Sequence, residues 1–281
     1  MEVYVYSDMR RAQLFTGVCT ITGLVLTLDA SSKRRIYVYR DRGDISLLFT
    51  GKGYKLPALL GVLLVATLGC FGLIMYLQSA SGTKMYQFLY WDIFLAWVPV
   101  FMTLIMMALS RMGNVTVRRV LMLLSGVIWL FFLPNALYLL TELLHVFRIY
   151  KVNPDSRFWL DTTFWLILFT SFLAAGLGLF LTSLCVWSIH RMLQKACNGW
   201  LAWAIVFVLL WLASVGVYIG RFARWNSWDA VLKPLVILTD VWKWVSLAGE
   251  RQHLLSFSWL VFGIMIIFYL MMYISLSEKD L

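Results

Sequence analysis

The sequence predicts a mainly α-helical polytopic membrane protein with six transmembrane helices, an interfacial amphipathic helix and a small β-rich N-terminal segment. Three observations carry this. Of the 281 residues 62% are hydrophobic and 14% charged, against roughly 45–50% and about 25% in soluble domains, so most of the chain needs a bilayer as its solvent. The apolar residues are gathered into six runs near 57–78, 86–110, 120–145, 158–187, 200–219 and 254–276, each long enough to cross about 30 Å of hydrocarbon at 1.5 Å per residue. Residues 1–55 instead alternate apolar and polar side chains in the manner of strands.

The N-terminal segment contains a partial repeat. VYVYSDMRRAQLFTG at 3–17 resembles IYVYRDRGDISLLFTG at 36–51 with one inserted residue, which predicts two similar hairpins, the second turning through Arg42, Gly43 and Asp44. The intervening CTITGLVLTL is rich in β-branched residues and reads either as a further strand pair or, over 12–28, as a short seventh membrane helix. The polar opening MEVYVYSDMRR does not read as a signal peptide. The domain division expected is a β-rich segment over 1–55, on the cytoplasmic side, and a membrane domain over 56–281.

Each apolar run is a predicted span. The fourth exceeds the length of a straight crossing and calls for tilt or a start outside the hydrocarbon. Residues 228–248 carry Val231, Leu232, Leu235, Val236, Val241, Trp242 and Val245 on one broad face, interrupted by Lys233, Asp240 and Lys243. That pattern predicts an amphipathic helix lying at the interface rather than a crossing. Placing residue 55 in the cytoplasm puts 15 of the 24 Lys and Arg residues inside and 9 outside, the asymmetry expected of cytoplasmic loops. The formal net charge of +10 is spread over these short flanks, so no nucleic-acid partner is expected. Cys19, Cys70, Cys185 and Cys197 form no CxxC and no metal-ligand spacing, so no disulfide framework is implied. His190 and His253 read as interfacial.

The ionisable residues of the apolar runs share one membrane face under an up-down path. Asp92 opens the second run, Glu142 and His145 close the third, Asp161 opens the fourth, and Arg221, Arg224 and Asp229 follow the fifth. Charges at such depth usually face a bundle interior or an aqueous cavity. In the third run Asn135, Tyr138, Glu142 and His145 are spaced 3, 4 and 3, a single helical stripe, and Pro134 removes a backbone hydrogen bond beside them. In the fifth, Ser214, Tyr218 and Arg221 form a second stripe. Ser171, Ala175 and Gly178 line one side of the fourth and allow a close helix approach.

The expected site is an extracytoplasmic-facing cavity, with Glu142, His145 and Asp161 as acid–base candidates. Asn135, Tyr138, Arg221, Arg224, Asn226 and Asp229 are the candidates for binding substrate. Competing readings stand beside it. Glu142 and His145 are also compatible with a plain helix end, Asp161 with a helix cap, and Arg224 with its flanking tryptophans with an interfacial anchor. Asn226 and Ser227 could cap the amphipathic helix. Glu-x-x-His can supply two ligands to a divalent metal from one helix, Asp161 or Asp229 completing the set; which cofactor, if any, binds is left open. No phosphate loop, nucleophile elbow or zincin helix is present in the sequence.

The motifs LAWVP at 95–99, LPNALYLLTELLH at 133–145, WLD at 159–161 and IGRFARWNSWD at 219–229 occur in that order. In them the chain resembles the integral-membrane domain-of-unknown-function family 1361 of bacteria, over about residues 86–245. The resemblance implies a multi-pass protein of the bacterial cytoplasmic membrane and implies no activity. Glu142 stands where the family's pattern has an aspartate, a departure that lengthens the carboxylate arm. The β-like N-terminus is not part of the pattern.

Three function classes follow. The first binds or processes an anionic, phosphorylated or lipid-linked, cell-envelope substrate, with arginines for phosphate, aromatics for lipid or sugar, and Glu142 with His145 for proton transfer. The second is a proton-linked transporter. The third is a non-catalytic scaffold subunit whose residues 1–55 pair with another copy or a partner protein through strand edges. Membrane lipid is an expected partner in each.

Overall fold

The computed structural model describes residues 24–28, 36–40, 55–82, 84, 86–150, 157–223 and 234–276. The chain divides into two units, Met1–Leu48 and Phe49–Leu281. In the first, the described residues are two five-residue strands, β1 (Leu24–Leu28) and β2 (Ile36–Arg40), paired antiparallel with Leu26 opposite Val38. The expected strand at 3–6, the turn through Arg42–Asp44 and most of the 12–28 window lie outside the described residues.

The second unit is helical. Its elements are α1 (Lys55–Ser81), α2 (Gln87–Leu109), α3 (Val115–Tyr138), α4 (His145–Tyr150), α5 (Thr162–Ala196), α6 (Gly199–Tyr218), α7 (Pro234–Ser246) and α8 (Ala248–Leu276). A 3-10 segment, Leu139–Leu144, joins α3 to α4, and a π-turn, Ile219–Ala223, extends α6. Six helical stretches are long and apolar enough to cross a membrane: Pro57–Ser81, Gln87–Leu109, Val115–Tyr150, Thr162–Ala196, Gly199–Phe222 and Ala248–Leu276. Their outward faces carry Val65, Leu68, Phe94, Phe172, Leu260 and Ile274, all exposed, as lipid-facing residues should be.

Several boundaries differ from expectation: the third span covers Val115–Tyr150 rather than 120–145, and the sixth begins at Ala248 rather than 254. The fourth span begins at Thr162 rather than 158, because Asp161 caps the helix through Thr163 N (2.8 Å) and Phe158–Leu160 forms a separate 3-10 turn. It also runs on to Ala196, where the sequence reading stopped at 187. At 35 residues it is about 52 Å long, well beyond the hydrocarbon. The segment expected to be amphipathic over 228–248 is described from Pro234. Its 13 residues span about 20 Å, too little to cross, and Leu235, Trp242 and Val245 remain exposed.

Helix α5 is the centre of the bundle and touches α1, α2, α3, α6 and α8. Its buried face includes Ser171, Ala174, Ala175 and Gly178. The small residues let α3 approach until a Cβ built on Gly178 would lie 2.1 Å from the Ala136 carbonyl oxygen and 2.9 Å from Leu139 Cβ. On the other flank of α3, a Cβ on Gly216 would meet the Pro134 ring at 2.5 Å. The proline-interrupted stretch of α3 is thus held between two glycines, one on α5 and one on α6. That clasp positions the residues that follow it.

Candidate functional site

Downstream of Pro134 the helix tightens. In 3-10 geometry side chains three residues apart eclipse one another, so Glu142 and His145 come together: His145 Nδ1 lies 2.7 Å from Glu142 Oε2. The contact is close but poorly directed. Neither of these two buried atoms has a well-formed hydrogen bond. Glu142 is 1% exposed and the His145 side chain 18%.

Arg221 arrives from the π-turn. Its Nη1 donates to Tyr138 Oη at 3.2 Å, the guanidinium lies over the Tyr138 ring at 5.8 Å, and Nη1 is 3.6 Å from Glu142 Oε1. The last is an ion pair longer than a hydrogen bond. The expected stripe Ser214–Tyr218–Arg221 does not hold as a single face. Tyr218 Oη instead reaches His253 Nδ1 on α8 at 3.1 Å, while Arg221 turns to the α3 side. A π-turn accommodates an extra residue relative to α-helical spacing, which breaks the phase that the spacing of 3 assumed.

Tyr138, Glu142, His145 and Arg221 therefore come together. Asn135 is half-buried and engaged, one turn before Tyr138 on α3. Asp92, half-buried on α2, lies within electrostatic reach of Glu142 and His145. Asp161 has other partners: Oδ2 accepts from Tyr150 Oη at 2.7 Å and Oδ1 from Thr163 N at 2.8 Å. These bonds hold its exposed carboxyl below its ordinary value of 3.8, the Tyr150 hydroxyl contributing most. Its described role is the helix cap. Arg224, Asn226 and Asp229 lie outside the described residues.

Because the Asp161 carboxyl titrates lower when folded than when unfolded, its capping stabilisation is present above the ordinary carboxylate value and is lost as pH falls through the lower folded value. Asp161→Asn is accordingly expected to melt below wild type at neutral pH. The gap should close as the medium is acidified below pH 3.8, read as thermal unfolding in detergent across a pH series. A gap that stays constant would exclude the capping carboxylate as its source.

Two site neighbours carried no sequence signal. Tyr86 precedes α2 in a left-handed conformation (φ 54°), uncommon for a non-glycine residue. Its hydroxyl is 2.6 Å from Ser171 Oγ and also donates to Ile167 O at 3.4 Å. It thereby ties the start of α2 to α5 near Glu142, whose charge it feels. Phe88 packs on the His145 ring at 4.8 Å. Ser171 could have been read as a hydrogen-bonding site, but nothing local marked Tyr86 as its partner. Among the described residues no three His, Cys, Asp or Glu side chains are grouped to hold a metal.

His190, read as interfacial, is buried at 1% exposure. Its Nδ1 pairs with Tyr269 Oη, its ring stacks on Tyr273 at 5.5 Å, and Trp203 meets it edge-on at 4.6 Å. It is thus enclosed by side chains of α6 and α8 near the end of α5. A depression of about 420 Å³ lined by Leu247, Gly249, Glu250 and His253 opens at the α7–α8 turn; it is exposed and does not include Glu142.

No curated protein and no solved structure matches the chain. The model of the family described as Protein of unknown function (DUF1361) matches residues 91–273, well over half of the sequence and every residue of the Tyr138–Glu142–His145–Arg221 cluster. On that match the protein, with its six helices long and apolar enough to span a membrane, belongs to the DUF1361 family.

Proposed function

We propose that the protein binds an anionic cell-envelope substrate, phosphorylated or lipid-linked, at Arg221, on the extracytoplasmic face of a bacterial cytoplasmic membrane. The observation that supports this reading is the use of the guanidinium. Its described contacts to Tyr138 and Glu142 both go through Nη1, and an arginine carries five donors in a fork that suits phosphate. The side chain is 19% exposed, so the guanidinium is not fully enclosed. The orientation follows from the distribution of Lys and Arg.

The residues named earlier keep their proposed parts. Asn135, Tyr138, Arg224, Asn226 and Asp229 are proposed to bind substrate, and Glu142, His145 and Asp161 to serve as acid–base groups. Residues 1–55 are proposed as a β-rich cytoplasmic segment that pairs with a second copy or a partner protein.

The test uses Arg221→Lys, which keeps the charge and removes the fork. Binding of a fluorescent phosphatidic acid to the purified protein in detergent is expected to weaken about tenfold, because a lysine cannot reproduce a bidentate phosphate contact. Phosphatidylcholine should bind weakly to both proteins. Equal phosphatidic acid affinity in wild type and variant would refute the assignment.

A further inference from the structure

We propose that anion binding at Arg221 is coupled to the uptake of one proton by the Glu142–His145 pair, with Glu142 as the internal anion that the ligand displaces. The inference rests on the Arg221 reading above and adds a stoichiometry to it.

Glu142 is almost fully buried, yet its Oε2 has no well-formed hydrogen bond. Oε1 faces Arg221 at 3.6 Å, and Oε2 faces His145 Nδ1 at 2.7 Å without a well-formed bond. A buried carboxylate usually has its hydrogen bonds made. This one is shared loosely between two cations or potential cations. A phosphate that takes Arg221 with shorter, two-point contacts removes one of them, and the carboxylate then depends on His145.

The charge balance among the described residues supports one proton. There, the charged groups about Glu142 are Asp92 from α2, His145 from α4 and Arg221 from the π-turn. Tyr86 at the start of α2 and Tyr138 at the end of α3 add hydroxyls, and Arg148 lies on α4 one turn beyond His145, exposed. Helix α5 packs against the same stretch and has no charged residue between Thr162 and Ile189; it offers the Ser171 hydroxyl. With the imidazole neutral, Glu142 already takes up the charge of Arg221, and Asp92 supplies no positive charge. A further negative charge at this depth is unfavourable unless compensated. A proton on the imidazole is the nearest compensation: it sits against Oε2 and comes from solvent, to which His145 is partly open. No covalent bond changes.

The test is calorimetric. Full-length protein in phosphatidylcholine bilayer discs is titrated with dimethyl phosphate, a monoanion that does not itself titrate near neutrality, in buffers of different ionisation enthalpy. Wild type is expected to take up about one proton per anion, with affinity improving up to about tenfold per unit fall in pH. Glu142→Gln should bind at least as tightly and take up none, and His145→Gln should also lose the uptake. Doping the discs with phosphatidylglycerol separates the sources of the phosphate. Lost calorimetric heat marks a lipid headgroup as occupant, and unchanged heat marks a soluble anion; proton coupling is required in either case. Binding by wild type without proton uptake, or uptake retained in Glu142→Gln, overturns the coupling and leaves the Arg221 site standing. No binding of either anion overturns both.

Discussion

Gly178→Leu is expected to prevent stable assembly of the helical unit. The carbonyl oxygen of Ala136 would lie 2.1 Å from even a methyl group at this position, and that oxygen belongs to the backbone, so no rotamer change relieves the clash. Overpacking a well-filled interior typically costs about 1–3 kcal/mol when side chains can yield; here α3 itself must retreat, and the expected cost is above about 3 kcal/mol. A retreat of α3 would also withdraw Tyr138 and Glu142 from Arg221. Gly178→Ala should behave in the same way but more mildly. The check is the fraction of protein recovered as a monodisperse peak from detergent, with wild type and Gly176→Ala as controls, because a Cβ at Gly176 meets nothing within 4 Å. Normal recovery of Gly178→Leu would show that the helices are not in the contact described.

The second large effect is expected from Arg221→Ala. It leaves Glu142, 1% exposed, with His145 as its one remaining ion-pair neighbour among the described residues. Removing one partner of a buried ion pair costs about 3–5 kcal/mol; Arg221 is 19% exposed and the pair is 3.6 Å apart, so about 2–3 kcal/mol is the appropriate figure. The thermal midpoint should fall by several degrees. Arg221→Ala combined with Glu142→Gln should recover more than half of the loss, since the stranded charge is then absent. A double variant no more stable than the single one would mean that Arg221 supports the fold through Tyr138 rather than through Glu142.

Much of the bundle could be read from hydropathy, because a membrane interior penalises any interruption of an apolar run; Lys233 and Asp240 marked the amphipathic segment for the same reason. The small residues Ser171, Ala175 and Gly178 also spoke directly, since a close crossing needs them. What was not legible depended on backbone departures from α geometry. Counting 3, 4 and 3 placed Tyr138, Glu142 and His145 on one stripe. It gave no warning that Leu139–Leu144 would tighten to 3-10 and bring Glu142 against His145. The same counting aligned Tyr218 with Arg221, which the π-turn separates. Tyr86 escaped because its partner, Ser171, is 85 residues away. Asp161 could be read either as a site acid or as a cap. The contact from Tyr150 could not be read at all, because its hydroxyl meets Asp161 only where α4 carries the third span on to that residue.

The central place of α5 bears on how the protein is made. Helix α1 packs chiefly on α5 and only slightly on its sequence neighbour α2. A ribosome delivers these segments in chain order, so α1 enters the bilayer more than eighty residues before the helix it rests against. While it waits, Cys70, Ile74 and Leu77, all buried in the finished bundle, face lipid, which solvates them as well as a neighbouring helix does. The contacts that draw α1 to its neighbour α2 meanwhile are few, among them Trp97 Nε1 donating to Thr67 Oγ1 at 3.1 Å and the Phe71–Tyr90 ring pair at 5.2 Å. By contrast α2 and α3 pack extensively on each other and can pair as a hairpin at once. Biogenesis thus has a natural waiting point, and emergence of Thr162–Ala196 is the event that gathers the scattered early helices into one body.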